Sequence, residues 1–305
     1  RSFDGKKKIP HFPEVCYNIL EILEQGGGGM AGTLYLVPTP IGNLGDLSQR
    51  AADTLAGADF IAAEDTRVTV KLLNHLGIKK PMVAYHRHNF ETAGEAVVQR
   101  LLAGEDCALV TDAGMPAVSD PGEELVARCA RLDIPVCALP GPCALVAALA
   151  VSGQPAGRFT FEGFLPMNKK NRRARLDALR GEERTMIFYE APHKLRDTLR
   201  DLAEVFGPER PVSLCRELSK LHEEVRRTTL GEAGRYYQDN EPRGEFVLVI
   251  RGAEPREERE ATLEDGLILV ERLRGEGLSL RDGVRQAARE LGLSRNQLYD
   301  LAVGK

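Results

Sequence analysis

No two of the 6 cysteines stand in a CxxC pair, which argues against a zinc ribbon or a thioredoxin-type redox motif. Most of them lie in apolar runs, as buried thiols of a reducing compartment do. An excess of basic residues is also missing. Lys and Arg number 41 against 45 Asp and Glu, a net charge of -4. Any nucleic-acid surface must therefore be a local patch. Unbroken apolar runs are absent too. Residues 134–157 carry no charge and are long enough on paper to cross a membrane, but Pro135, Pro140, Gly141, Pro142, Gly153 and Pro155 interrupt them. A strand, a tight turn and a short helix fit that pattern better. Lys6-Lys7-Lys8 is followed by Ile9-Pro10-His11 and not by an apolar core, unlike a secretory leader. A cytoplasmic protein without membrane association is expected.

What is present reads as a folded chain. At roughly 100–200 residues per domain, 305 residues suggest about two domains and a small appendage. Residues 1–29 end in Gly26-Gly27-Gly28-Gly29 before Met30 and read as a tag or non-native leader. Gly27, Gly29 and Gly32 spell GxGxxG, but no strand precedes them, so a dinucleotide site is not expected there. Over 30–153, β-branched or apolar runs at 33–37, 60–63, 82–85, 107–111 and 136–139 alternate with helical patterns at 48–56, 68–76, 93–102, 123–131 and 144–151. This is the pattern of an α/β domain with a mainly parallel sheet.

A second α/β block spans 158–252, with strands at 159–165, 185–189, 212–218, 225–230 and 246–250 and helices at 168–179 and 194–205. The strands at 212–218 and 225–230 leave no room for a crossover helix, so antiparallel pairing is expected. Residues 253–261 read as a charged linker. Residues 262–305 carry two helical patterns and a terminal third, which Ser294 should cap, at helix-turn-helix spacing. Seven basic and seven acidic residues cancel there, which weakens a DNA-binding reading.

Chemistry-bearing residues gather where strands end, the place at which open α/β sheets build ligand crevices. Pro38, Pro40, Gly42 and Gly45 shape a stiff, closely approachable loop after the first strand. Glu64-Asp65-Thr66-Arg67 ends the second, where Asp65 or Thr66 could equally be a helix cap. His86-Arg87-His88-Asn89 follows the third. No acid or cysteine completes a metal set beside its two histidines, and no metal site is expected. The loop from Thr111 to Gly122 follows the fourth strand and contains Asp112, Gly114, Met115, Val118, Ser119 and Asp120. One basic run stands out: Lys169, Lys170, Arg172, Arg173, Arg175 and Arg180 against Asp177, a solvated helix face or a contact to phosphates.

In order, the segments TLYLVPTPIGNLGD, AAEDTR, YHRHN, TDAGMPAVSDPG, LPGPCA, FTFEGFLP, FYEAPHKL, CRELSKLHEE and PRGEFVLV resemble the ribosomal RNA small subunit methyltransferase I family, within the tetrapyrrole methylase superfamily. The resemblance covers about residues 30–252, and the tail is similar to a helix-turn-helix extension found on many members. It implies two α/β domains with S-adenosylmethionine in the cleft between them, usually a homodimer. The implied activity is 2'-O-methylation of a cytidine ribose in the decoding region of 16S rRNA, in the small ribosomal subunit. No metal is implied.

By similarity, Pro38, Pro40, Gly42, Asp112, Gly114, Met115, Val118 and Ser119 belong to cofactor loops. Glu190, Ala191, Leu218, Gly244 and Glu245 fall where the second domain would enclose the adenosine. The superfamily's Gly-Asp-Pro loop resembles Gly114-Met115-Pro116 here, so its acid is lost. A ribose hydroxyl is a poor nucleophile and needs a proton acceptor or an orienting group. Glu64, Asp65, His86 and Asp112 are the candidates, with Asp65 and Arg67 expected in the substrate half of the cleft. Lys169, Lys170, Arg172, Arg173 and Arg175 are expected to meet RNA, and Arg216 and Lys220 to meet the target phosphates.

Overall fold

The structure, a computed structural model, describes residues 31–254 and 261–304. The expected leader, Met30 and the first two glycines of the GxGxxG run lie outside the described residues. Gly32 itself is packed on backbone: its N–H donates to the Leu101 carbonyl at 2.7 Å.

The first sheet has the order β3-β2-β4-β1-β5, all parallel. Its strands are β1 Leu34–Leu36, β2 Phe60–Ala63, β3 Met82–Ala84, β4 Cys107–Val110 and β5 Val136–Ala138. The central strand β4 and its neighbour β2 are buried throughout. Such strands read as continuous apolar runs because helices cover both faces. One face packs Phe60, Val97, Leu101, Leu109 and Leu125, and the other packs Leu55, Ile61, Leu73 and Val110. The covering helices are α1 Gln49–Gly57, α2 Thr66–His75, α3 Phe90–Leu102 and α4 Glu123–Arg131. Ser48 caps α1 by accepting from Ala51 N, and Asp65 caps α2 by accepting from Arg67 N.

Helix α5, Ala144–Ser152, leads to a second sheet of order β6-β7-β10-β8-β9. These strands are β6 Phe159–Phe164, β7 Thr185–Glu190, β8 Pro211–Arg216, β9 Glu224–Thr229 and β10 Phe246–Ile250. β6 and β7 are parallel, and the other pairs are antiparallel, including the expected β8 and β9. Strand alternation divides the side chains. Met186, Phe188, Leu214 and Leu248 enter a core with α6 Lys169–Ala178, α7 Leu195–Phe206 and α8 Leu230–Asp239. Ile187, Cys215, Val247 and Val249 face α5 instead. Helix α8 has no counterpart in the sequence reading. Its start is nonetheless a full capping box between Thr229 and Glu232.

The chain divides into two compact units after Ala253. The C-terminal one is three helices, α9 Leu263–Gly275, α10 Leu280–Leu291 and α11 Arg295–Val303, around Val270, Leu273, Val284 and Leu298. Gly292 ends α10 in a left-handed turn, as its position suggests. Ser294 stands at the start of α11 but its side chain makes no capping bond, whereas Thr262 and Ser279 cap the other two helices.

Candidate active site

Strand pairing brings the sequence-marked loops together. β4 lies between β1 and β2, so the loops that follow these three strands share one end of the sheet. The first and third of them are tied by an isolated bridge. Thr39 N donates to Gly114 O at 2.9 Å and Gly114 N returns to Thr39 O at 3.0 Å. Thr39 Oγ1 adds a bond to Thr111 O at 3.0 Å. At the end of β2, Glu64 Oε2 accepts from Thr111 Oγ1 at 2.6 Å, and Asp65 N donates to Asp112 Oδ1 at 3.2 Å.

These loops form one wall of a cleft of about 490 Å3. The opposite wall comes from the second sheet: Tyr189 and Glu190 at the end of β7 with Ala191 after them, Cys215 of β8 with Leu218 beyond it, and Phe246 and Val247 of β10 with Glu245 just before them. The start of α5 closes the side with Cys143 and Ala144. Tyr189 fixes that corner by accepting from Leu145 N at 3.1 Å, and burial pushes its hydroxyl pKa well above the usual range. A second tie links the walls. Ser219 Oγ donates to Asp46, and the stem of Lys220 crosses Gly42, where a β-carbon would sit 2.3 Å from Lys220 Cγ. Four of the five described non-glycine residues with left-handed backbone, Ala117, Ser119, Glu217 and Ser219, lie in the two loops facing each other here. Strain of this kind concentrates at functional sites.

The lining contains Glu64, Asp112, Asp120, Glu190 and Glu245 and no lysine or arginine. The potential inside is negative and favours a cationic ligand. Burial first, then Glu64 and Asp65, raise the Asp112 pKa. Burial and Glu64 push Asp120 up to about 6. Glu190 is committed elsewhere: its side chain is buried and accepts from Thr198 Oγ1 and Ala191 N. Thr198 in turn accepts from Arg172 at 2.7 Å. Thr198→Val is therefore expected to leave the buried carboxylate under-bonded and to cost about 1–3 kcal/mol in a denaturation titration; an unchanged midpoint would contradict this.

Of the residues singled out from sequence, Glu64, Asp112, Gly114, Met115, Val118, Glu190, Ala191, Leu218 and Glu245 line the cleft. Pro38, Pro40, Gly42, Ser119 and Gly244 support its loops without lining it. Asp65 and Arg67 stand at its rim as a helix cap and ion pair at 2.6 Å, and the Arg67 hydrogen bonds pull Asp65 down to about 2. His86 lines neither this cleft nor the second cavity beside it; its Nδ1 accepts from His88 N.

The basic helix α6 is largely paired. Arg172 meets Asp201 at 2.7 Å, Arg173 meets Asp177 and Glu204, and Arg175 meets Glu162. Arg216 meets Glu224 at 3.2 Å, and Lys220 Nζ sits 2.8 Å from both Glu217 and Glu245. The sequence marked Asp120 as the second acid of the Thr111–Gly122 loop without giving it a role; Tyr189, Phe164, Cys143 and Phe246 depend on how the two sheets face each other. Among the described residues no group of three or more His, Cys, Asp or Glu is placed to hold a metal ion, and no helix is long and apolar enough to cross a membrane.

The family model "Tetrapyrrole (Corrin/Porphyrin) Methylases" matches residues 33–234. The chain is 48% identical to a Ribosomal RNA small subunit methyltransferase I of Synechocystis sp., over 89% of this chain and 98% of that protein. It is 45% identical to the protein of that name in Pseudomonas aeruginosa, over 90% and 97%. Among solved structures, uroporphyrin-III C-methyltransferase of Thermus thermophilus complexed with S-adenyl homocysteine shares the fold at TM-score 0.53 and 19% identity, over 72% of this chain and 97% of that one. Diphthine synthase does so at TM-score 0.54 and 13% identity, over 72% and 90%. The tied strand-end loops, the two facing sheets and these likenesses agree: the chain belongs to the tetrapyrrole methylase family and, within it, to the ribosomal RNA small subunit methyltransferase I family.

Proposed function

We propose that this protein binds S-adenosylmethionine in the cleft and methylates the ribose 2'-hydroxyl of a cytidine in the decoding region of 16S rRNA, with the small ribosomal subunit as substrate. The observation that carries the cofactor half is the acid-lined, cation-free cleft between two α/β sheets. S-adenosylmethionine carries positive charge at its sulfonium and amino groups, and its adenine ring and methylene arms need apolar walls. Gly114, Met115 and Val118 are suited to hold the methionine part, and Ala191, Leu218 and Glu245 the adenosine. When bound, the cofactor supplies an electrophilic methyl group.

The chain's own contribution is positioning and exclusion of water, which account for much of the rate in a methyl transfer. The Thr39–Gly114 bridge fixes the loops of the first wall, and the Ser219–Asp46 bond ties the second wall to it. The acid cluster of Glu64, Asp112 and Asp120 offers proton acceptors at the sheet end.

The acceptor half rests on the likeness to rRNA methyltransferases and on a residual basic surface. Lys169 and Lys170 begin α6, are exposed, and have no ion pair among the described residues, unlike the arginines after them. Lys169→Ala with Lys170→Ala is expected to weaken subunit binding and to lower the slope of log affinity against log salt by about 2, one per phosphate contact. An unchanged slope would remove α6 from the RNA surface. The reading as a whole is tested by titrating S-adenosylmethionine calorimetrically and by measuring association with undermethylated small subunits. Saturable cofactor binding together with salt-sensitive subunit binding is expected, and failure of either would overturn it.

A further inference from the structure

A second cavity, of about 510 Å3, opens beside the cleft. Tyr85, Arg87 and Phe90 wall one side, the loop from Ser119 to Glu124 another, and Glu162 to Phe164 the third. Asp120 and Phe164 line both cavities, so the two spaces share a wall and a carboxylate stands in it. Building on the methyl-transfer reading above, we propose that the second cavity receives the acceptor nucleoside, lifted out of the RNA strand, and that Asp120 accepts the proton of its 2'-hydroxyl.

The lining fits a nucleoside better than a phosphate. Phe90 and Phe164 supply aromatic surface on which a base can stack. Asp120, Glu123 and Glu124 offer carboxylate oxygens to hydroxyl and exocyclic amine groups, the donors that a cytidine carries. Glu162 is neutralised by Arg175, and the Arg87 guanidinium is engaged with the Ser119 carbonyl at 2.7 Å. The remaining charge repels phosphates, which stay outside on the basic surface.

The loop is built to hold Asp120 at the junction. Ala117 and Ser119 have φ of 65° and 68°, left-handed values that L residues adopt only under constraint. Gly122, at φ 141°, would place a β-carbon 2.9 Å from Leu109 Cδ2, so the turn that follows Asp120 is closed against the sheet. Thr111 has a single hydroxyl proton and gives it to Glu64 at 2.6 Å. Asp120 also draws on that hydroxyl and must share it with Glu64. Glu64 faces it from just past the end of β2, Asp112 from the loop after β4, Arg87 from the loop after β3, Glu123 and Glu124 from the start of α4, and Glu162 from β6. Burial and Glu64 bring its pKa to about 6, still ionised at neutral pH but a stronger base than an ordinary carboxylate. In the step the 2'-O–H bond breaks as its proton passes to Asp120. The O–CH3 bond forms as the methyl leaves the sulfonium sulfur, which keeps the electron pair as a neutral thioether.

The test is single-turnover methyl transfer to undermethylated small subunits as a function of pH, with S-adenosylmethionine affinity measured alongside. The wild-type rate is expected to rise through about pH 6 and then level. Asp120→Asn should lower the rate by about 100-fold or more and remove that inflection, while cofactor affinity, to which Asp120 is one of five contributing acids, falls by no more than about tenfold. Phe90→Ala should weaken subunit binding and leave cofactor affinity unchanged. An Asp120→Asn enzyme within about tenfold of wild type and with the same pH profile would overturn the assignment. So would loss of cofactor binding in that variant, or unaltered subunit binding by Phe90→Ala. If the wild-type enzyme itself places no methyl on rRNA ribose, the functional reading fails and the inference with it. If it does and Asp120→Asn matches it, the inference alone fails.

Discussion

Gly114→Val is expected to weaken S-adenosylmethionine binding by about 100-fold or more, a loss of about 2.8 kcal/mol. Gly114 has φ 90°, a value that a β-branched residue adopts only as an outlier. Its backbone cannot rotate to relieve this, because both its N–H and its carbonyl are bonded to Thr39. A β-carbon would already touch Ile41 Cγ2 at 3.5 Å, and the two further methyls of valine would enter the lining of the cleft. Strain of about 1–3 kcal/mol at the residue and lost volume in the site act in the same direction. Calorimetric titration checks the affinity, and thermal unfolding separates it from a loss of fold. Affinity within about threefold of wild type would mean that this cleft is not where the cofactor binds.

Phe188→Ala is expected to cost about 3–5 kcal/mol, from lost transfer energy and the cavity left behind. Phe188 is fully buried on β7, opposite Leu248 of β10 and packed among Leu195, Leu199 and Leu214. A domain of ordinary stability has about 5–15 kcal/mol in total, so one side chain would remove a large part of it. The adjacent Tyr189 points the other way, into the cleft corner. The predicted sequence of events on titration with urea is loss of the second sheet and of cofactor binding together. A cost below about 1 kcal/mol would contradict the packing described for that face.

Much of this architecture could be read before any coordinates. Strands β2 and β10 fall where their apolar runs do, because a strand buried on both faces needs nothing else to mark it. Helix ends moved where a cap decides them. α2 begins at Thr66 and not at 68, because Asp65 takes the first free N–H groups. α8 was hidden because Gly231 and Gly234 dilute its pattern, although Thr229 and Glu232 spelled out its start. The strand-end loops were legible from their glycines, prolines and acids. The far wall was not, since Tyr189 and Phe246 enter the cleft only through strand register and the facing of two sheets. The pairing of the α6 arginines was hidden for a similar reason. Arg172 meets an acid 29 residues away, and no local pattern signals that pair.

The central claim is that the cleft delivers a methyl group to a ribose of small-subunit rRNA. Its most direct test is transfer of labelled methyl from S-adenosylmethionine to small subunits purified from cells lacking the modification, followed by nuclease digestion and mass spectrometry of the labelled nucleoside. The account predicts the label on the 2'-oxygen of one cytidine in the decoding region. Label on a base, label on another RNA, or bound cofactor with no transfer to rRNA would contradict it.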